Sequence, residues 1–480
     1  MNILMVASEA EPYSKTGGLA DVIGALPRAL VRRGYQVSVV TPLYRGITLD
    51  NLRIEFPSLT ISFGTAMHFP RIVSVLDRGV CIYFVDYPQF FDRDGYYGDA
   101  AGDYPDNPER FTLLCRAAIE IAKLKVQPDL FHCHDWQAAM LPVLLKSVFT
   151  ADSASAVPVL LTIHNLGYHG YFTRDVLGRL GLPPELFTIT GLEYYGHVNF
   201  LKGGLLFADH LSTVSQGYAR EIQTPEHGHS LDGILRQRAD VLHGIVNGVD
   251  YSQWNPETDP HLAERYSADS LEGKQACKKD LLKAMALPLD AIDRPIIGMV
   301  TRLAFQKGAD LLMAAGDRLM ERNATLVVLG SGEKSIVDFL VGLKVRYPER
   351  VGLKVGYDDA MAHQVEAGAD MFLMPSRYEP CGLNQMYSMR YGTPPIVRAT
   401  GGLDDTIEPF DATTGSGTGF KFSDYTAEAM LGAIDEALTL YWDTCSWRKI
   451  VQNGMAKDFS WDASAKKYGA LYKTVAESRG

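Results

Sequence analysis

Arg302 and Lys307, five positions apart in TRLAFQKG, are two cations spaced to reach one diphosphate. A guanidinium meets phosphate oxygens as a planar fork, an ammonium as a compact point charge. Solvated surface charges are the plainer reading of such a pair. Their place where a strand hands over to a helix, in an acidic chain, favours phosphate binding. A second basic site is SKTGGLADV near the N-terminus. Gly17 and Gly18 let backbone N–H groups approach a ligand at the start of a helix, Lys15 adds a positive charge, and Asp21 follows one turn in. A glycine pair also makes a tight turn with no ligand; Lys15 and Asp21 tilt the reading toward a phosphate. Glu379, in PSRYEPCGLNQ, is enclosed by Pro375 and Pro380 and followed by Gly382. It reads equally as a carboxylate capping a helix start and as one aimed at sugar hydroxyls.

His164 and Asn165 end the apolar run VPVLLTI. A histidine at a strand's carboxyl end is a site candidate as well as an ordinary structural residue. In HCHD (132–135), strand alternation sends His132 and His134 to one side, where a metal could use them. No further His/Cys cluster stands at ligand spacing, so no structural metal is expected. Tyr96, Tyr97, Trp136, Tyr168, Tyr357 and Tyr378 lie in polar loops, suited to stacking on sugar faces or to packing those loops down. The chain carries no P-loop, no GxGxxG after a strand and no GxSxG elbow, and GSGEK at 330–334 is too short a match. The chemistry suggested is transfer from a phosphate-activated donor.

Such residues need elements to position them, and the chain supplies alternating strands and helices. In the first half, 3–7, 35–41, 72–76, 80–86, 129–132, 157–163 and 210–213 read as strands. The first helix buries Leu19, Val22, Ile23, Leu26 and Leu30, and 107–125, 199–207 and 231–239 read as further helices. A polar, proline-bearing stretch at 247–266 suits a linker. Alternation then restarts, with strands at 296–301, 324–329, 351–355, 371–373 and 395–398 and helices at 308–321, 336–347, 427–441 and 463–475. This predicts two doubly wound α/β domains facing one another. KTGGL, HDW, HNLGY, TRLAFQKG, GSGEK, PSRYEPCGLNQ and ATGGLDD all follow strands, where open sheets bind their ligands, and together would line one crevice.

At 480 residues, 46% hydrophobic and 21% charged, the composition is that of an ordinary globular protein of two or three domains. The net charge of −11, with no Lys/Arg block, excludes nucleic acid and anionic membrane as expected partners. Six scattered cysteines without a CxxC pair fit reduced thiols. No apolar run approaches the ~20 residues a bilayer needs, so a cytoplasmic setting is expected.

These blocks resemble the bacterial glycogen synthase and plant starch synthase family of retaining glucosyltransferases over essentially the whole chain. They are KTGGLADVIGALP, HDWQA, IHNLGYHG, FLKGGLLFAD, EIQTPEHG, NGVDYSQWNP, TRLAFQKG, PSRYEPCGLNQMYSMRYGTPPIVRATGGLDDT and a final FSW near residue 460. The resemblance implies two Rossmann-like domains about a central cleft, the arrangement called GT-B. Residues 1–246 would be the acceptor side and 247–458 the nucleotide-sugar side, with a last helix in 459–480 crossing back to the first domain. It implies an ADP-glucose donor, an α-1,4-glucan acceptor such as glycogen, and no metal or other cofactor.

Carried over position by position, Lys15 lies near the donor phosphates and Gly18 offers its N–H. Asp21 and Asp135 lie on the N-terminal lip with His164, which faces the anomeric centre. Arg302 and Lys307 neutralise the diphosphate, Glu379 faces the donor glucose, and Cys381, Gly382 and Leu383 form the turn beneath it. Tyr357 lies near the adenine, and Tyr97 and Asn247 complete the substrate-binding set. Tyr387 stands where wider relatives of the fold carry a second Glu, so the ribose must be held otherwise. A UDP-glucose-dependent transferase, a phosphorylase and a silent glucan-binding scaffold are the competing readings; no residue that reads the base is legible.

Overall fold

Strands and helices alternate from Asn2 onward in the computed structural model, which describes residues 1–478. Contacts divide the chain into two units. The first comprises Met1–Val214, Ala219–Gly248 and the chain from Trp461 onward; the second comprises Ser215–Tyr218 and Val249–Ser460. The divisions fall two residues later than the expected 246/247 and 458/459, and the short piece Ser215–Tyr218 counts with the second unit.

The first unit is built on a nine-stranded sheet. In chain order its strands are β1 (Asn2–Val6), β2 (Gln36–Pro42), β3 (Arg53–Phe56), β4 (Arg71–Asp77), β5 (Val80–Asp86), β6 (Leu130–His134), β7 (Val159–Ile163), β8 (His210–Thr213) and β9 (Leu242–Gly244). Their spatial order is β9-β8-β7-β6-β1-β2-β5-β4-β3. From β9 to β5 every neighbouring pair is parallel, with Ile3 of β1 opposite Val37 of β2 and Leu130 of β6. Strands covered on both faces must be apolar on both, and β1, β6 and β7 are buried almost throughout.

The alternating reading fails at one edge, where β4 and β5 pair antiparallel and β3 pairs antiparallel outside them. Only Arg78 and Gly79 separate the paired Asp77 and Val80, and both have positive φ, +48° and +86°. That is a two-residue hairpin turn; a parallel crossover needs a dozen residues or more.

The second unit holds a six-stranded, wholly parallel sheet. Its strands are β10 (Ile296–Val300), β11 (Thr325–Gly330), β12 (Val351–Val355), β13 (Met371–Met374), β14 (Pro395–Arg398) and β15 (Phe420–Phe422), ordered β12-β11-β10-β13-β14-β15. The helix Glu272–Ala284 was not legible. Its buried face mixes Cys277, Leu281 and Leu282 with Lys278, whose ammonium is held by Asp370 at 2.8 Å. The helix Thr444–Met455 was missed too, although Asp443 caps it by accepting from the backbone of Cys445 and Ser446.

The closing helix Trp461–Glu477 belongs to the first unit. Trp461, Ala465, Tyr468, Tyr472 and Val475 recur at three- and four-residue spacing and join the core of β1 and the first helix, α1 (Gly18–Arg32). Arg32 reaches Asp462 at 2.9 Å, and the Tyr472 hydroxyl lies 2.8 Å from Nδ1 of His132 on β6.

Candidate functional site

In the first unit the loops after β1, β6 and β7 issue from neighbouring strands, so KTGGL, HDW and HNLGY lie side by side at their carboxyl ends. Lys15 Nζ sits 2.6 Å from Asp21 Oδ1, both partly exposed. Gly17 caps α1 with an extended backbone and no side-chain hydrogen bond, leaving the N-terminal N–H groups without a side-chain acceptor. A Cβ built on Gly17 or Gly18 would meet nothing within 4 Å. Neither backbone strain nor packing in this fold demands glycine there, which fits space kept for a ligand.

Behind this loop lies Glu9, 3% exposed and not singled out by sequence reasoning. Its carboxylate accepts from the Thr16 backbone, from Thr16 Oγ1 at 2.6 Å and from the Tyr97 hydroxyl, which also lies 2.8 Å from Ser8 Oγ. Tyr97 is thus joined to the KTGGL loop through one buried acid. Tyr96 stacks on Tyr44 and Trp136 packs edge-on against Phe111, so these two aromatics pack loops down. Tyr168 stays 59% exposed.

Asp135 follows β6 with φ +55°, a left-handed conformation sparsely used by side-chain-bearing residues. Oδ1 accepts the backbone N–H of His164 at 2.7 Å, tying the end of β6 to the end of β7. Burial pushes its carboxyl up to about 7 against the lowering effect of the His164 and Asn165 N–H groups, and the charge of Glu9 adds to the rise. His164 Nε2 lies 3.0 Å from His134 Nδ1. Burial pulls the His164 imidazole down to about 3 and His134 well below its ordinary value, so both rings are neutral near pH 7.

As alternation requires, His132 and His134 share one face of β6, ring centroids 4.0 Å apart. Both nitrogens of His132 are engaged, by Tyr472 and by Thr162 Oγ1 at 2.6 Å. Asn247 is buried with its amide oxygen unpartnered among the described residues.

In the second unit the loops after β11, β10, β13 and β14 are again neighbours. Lys307 Nζ lies 2.5 Å from Glu379 Oε2, with the side chains only 18% and 7% exposed, and Ser376 Oγ donates to the same oxygen at 3.1 Å. The turn that aims Lys307 ends at Gly308, φ +76°, where a Cβ would strike the Pro375 carbonyl. The reading of Glu379 as a helix cap is overturned. The cap position of the following helix (Asn384–Arg390) is Leu383, with no side-chain cap bond, while the Glu379 carboxylate is spent on Lys307 and Ser376.

Asn384 Nδ2 donates to the Val300 carbonyl at 2.7 Å, pinning this loop to the end of β10. Gln385 Nε2 holds the carbonyls of Cys381 and Gly382 at 3.0 and 3.1 Å, and Gly382 takes φ +70°. Leu383 completes the turn. Arg302 is exposed and donates to Gln306 Oε1 at 3.2 Å. Tyr357, 83% exposed, donates to Asp359 Oδ1 at 2.9 Å. Tyr387 lies flat on Trp254, centroids 4.0 Å apart, a packing role for the residue at the aberrant position.

Residues 2–237 match the starch synthase catalytic domain family and residues 289–454 the group 1 glycosyl transferases. A glycogen synthase of Koribacter versatilis is 53% identical over 100% of this chain and 99% of its own. One from an Anaeromyxobacter species is 49% identical, covering 99% of this chain and 100% of its own. Among solved structures, the catalytic domain of starch synthase IV from Arabidopsis thaliana, bound to ADP and acarbose, matches with TM-score 0.90 and 33% identity over 99% of both chains. No helix among the described residues is long and apolar enough to cross a membrane.

Proposed function

The chain belongs to the glycogen synthase and starch synthase family of GT-B glycosyltransferases, and from that premise we propose that it moves glucose from ADP-glucose onto the non-reducing end of an α-1,4-glucan, lengthening glycogen in the cytoplasm with retention of configuration. The observation that carries the reading is the Lys307–Glu379 pair at the carboxyl ends of β10 and β13. It sets a partly buried cation beside the buried acid that would face the sugar.

Chemically, the bond from the anomeric carbon to the diphosphate oxygen breaks while the acceptor's 4-hydroxyl adds on the same face. The hydroxyl proton passes to the departing diphosphate. Charge then builds in two places, positive on the sugar ring and negative on the leaving group. Arg302 and Lys307 are suited to meet the negative charge, and in the first unit Lys15 and the Gly18 N–H are suited to bind phosphate. Glu379 faces the glucose over the Cys381–Gly382–Leu383 turn, and Tyr357 lies by the adenine. His164, neutral near pH 7, cannot act as an acid there; it offers lone pairs to the positive sugar, through ring or carbonyl, and Asp135 orients it by its backbone N–H. Asp21 steadies Lys15, while Tyr97 and Asn247 line the substrate. The cations take the part a metal would play, so none is required.

The test is incubation with ADP-glucose and a maltooligosaccharide in EDTA. Products lengthened by α-1,4-linked glucose support the reading; no extension overturns it.

A further inference from the structure

Although no histidine cluster stands at ligand spacing in the sequence, the second unit assembles one from distant positions. We propose that His261, Asp359 and His363 form a divalent-metal site of the zinc type that clamps the segment after Val249 to the helix Asp359–Gly368. One ligand atom from each of the three lies within 4.8 Å of the others.

His363 is the fixed member. Its ring is buried, lies flat against Trp254 with centroids 3.8 Å apart, and bonds through Nδ1 to Asp259 Oδ2 at 2.6 Å. That carboxylate holds the proton on Nδ1 and leaves the Nε2 lone pair as the ligand, the carboxylate–histidine arrangement that orients metal-binding imidazoles. The other oxygen of Asp259 accepts the backbone N–H of His261 at 2.8 Å. One fully buried acid therefore sets both histidines, and their ring centroids lie 4.9 Å apart. Asp359 is exposed; one of its oxygens takes the Tyr357 hydroxyl and the other remains for a cation. A buried Asp259–His363 pair would anchor the segment by itself, but that role gives no reason for the His261 ring and the Asp359 carboxylate to converge on the His363 ring.

Two imidazoles and one carboxylate select a borderline ion such as Zn²⁺ or Co²⁺ over Mg²⁺ or Ca²⁺, with water in the fourth position. Metal–ligand bonds of ~2.0–2.2 Å bring tetrahedral donors to about 3.4 Å of one another, so the more exposed His261 and Asp359 side chains close by about 1 Å on binding.

The experiment is titration of the untagged, EDTA-treated full chain with Co²⁺, read by visible absorption and by competition with Zn²⁺. One equivalent with tetrahedral d–d bands, displaced by Zn²⁺, is expected, together with a rise in Tm. His261→Ala and Asp359→Asn are expected to abolish the bands, and Asp259→Asn to weaken binding by roughly 10–100-fold. No bands in the unaltered chain, or an unchanged titration in His261→Ala, would overturn the site.

Discussion

Lys307→Ala separates what the buried pair does for the reaction from what it does for the fold. Lys307 Nζ lies 2.5 Å from Glu379, and after its removal the carboxylate keeps, among the described residues, Ser376 Oγ at 3.1 Å. Losing one donor to a developing anion costs ~10²–10³ in kcat, or ~2.7–4 kcal/mol. Leaving a nearly buried carboxylate without its cation costs about 1–3 kcal/mol of stability, below the ~3–5 of a fully buried broken pair because the lysine keeps some solvent. The two effects are of similar size, so each needs its own assay: kcat and KM from initial rates of glucose transfer, stability from urea unfolding. Adding Glu379→Gln to Lys307→Ala removes the stranded charge. The double variant is expected to regain stability and none of the rate. Wild-type kcat/KM in Lys307→Ala, with stability alone reduced, would refute the leaving-group role.

Gly18→Ala adds a methyl where nothing lies within 4 Å, so Tm should hold while kcat/KM for the donor falls on the order of 10-fold or more; unchanged kinetics would reduce the glycine pair to a turn. Glu9→Gln leaves one amide oxygen facing three donors and turns an NH₂ toward them, so urea unfolding should register a loss of about 2–3 kcal/mol and the donor KM should rise; an unchanged Tm would contradict the bracing role. The Asp135 carboxyl is raised from 3.8 to about 7, so the folded state holds its proton more tightly than the unfolded chain. Its stability contribution is greatest below pH 4 and is lost as pH climbs to about 7. Relative to Asp135→Asn, the unaltered protein should therefore lose up to ~4 kcal/mol between those pH values, and a pH-independent difference would refute the shift.

Parallel strands buried on both faces are continuous apolar runs, and so β1, β7, β10, β11, β13 and β14 were placed to within two residues or so from sequence. Where polarity and fold disagree, the reading failed. The helix Glu272–Ala284 buries Lys278 against Asp370, and no amphipathic pattern survives that substitution of charge for hydrocarbon. Lys15, His164, Arg302, Lys307 and Glu379, the candidates that the sequence offers, sit in short motifs directly after strands. What escaped depends on partners far along the chain. Glu9 gains its meaning from Tyr97, and His363 from Asp259 and His261. Glu379 could not be told from a cap until the helix start was located at Leu383.

The most direct test of ADP-glucose-dependent glucan elongation is the initial rate of glucose transfer to glycogen from ADP-glucose and UDP-glucose, measured in parallel with EDTA present. A strong preference for ADP-glucose in kcat/KM is the expected result. Preference for UDP-glucose, or tight glycogen binding with no transfer from either donor, would contradict it.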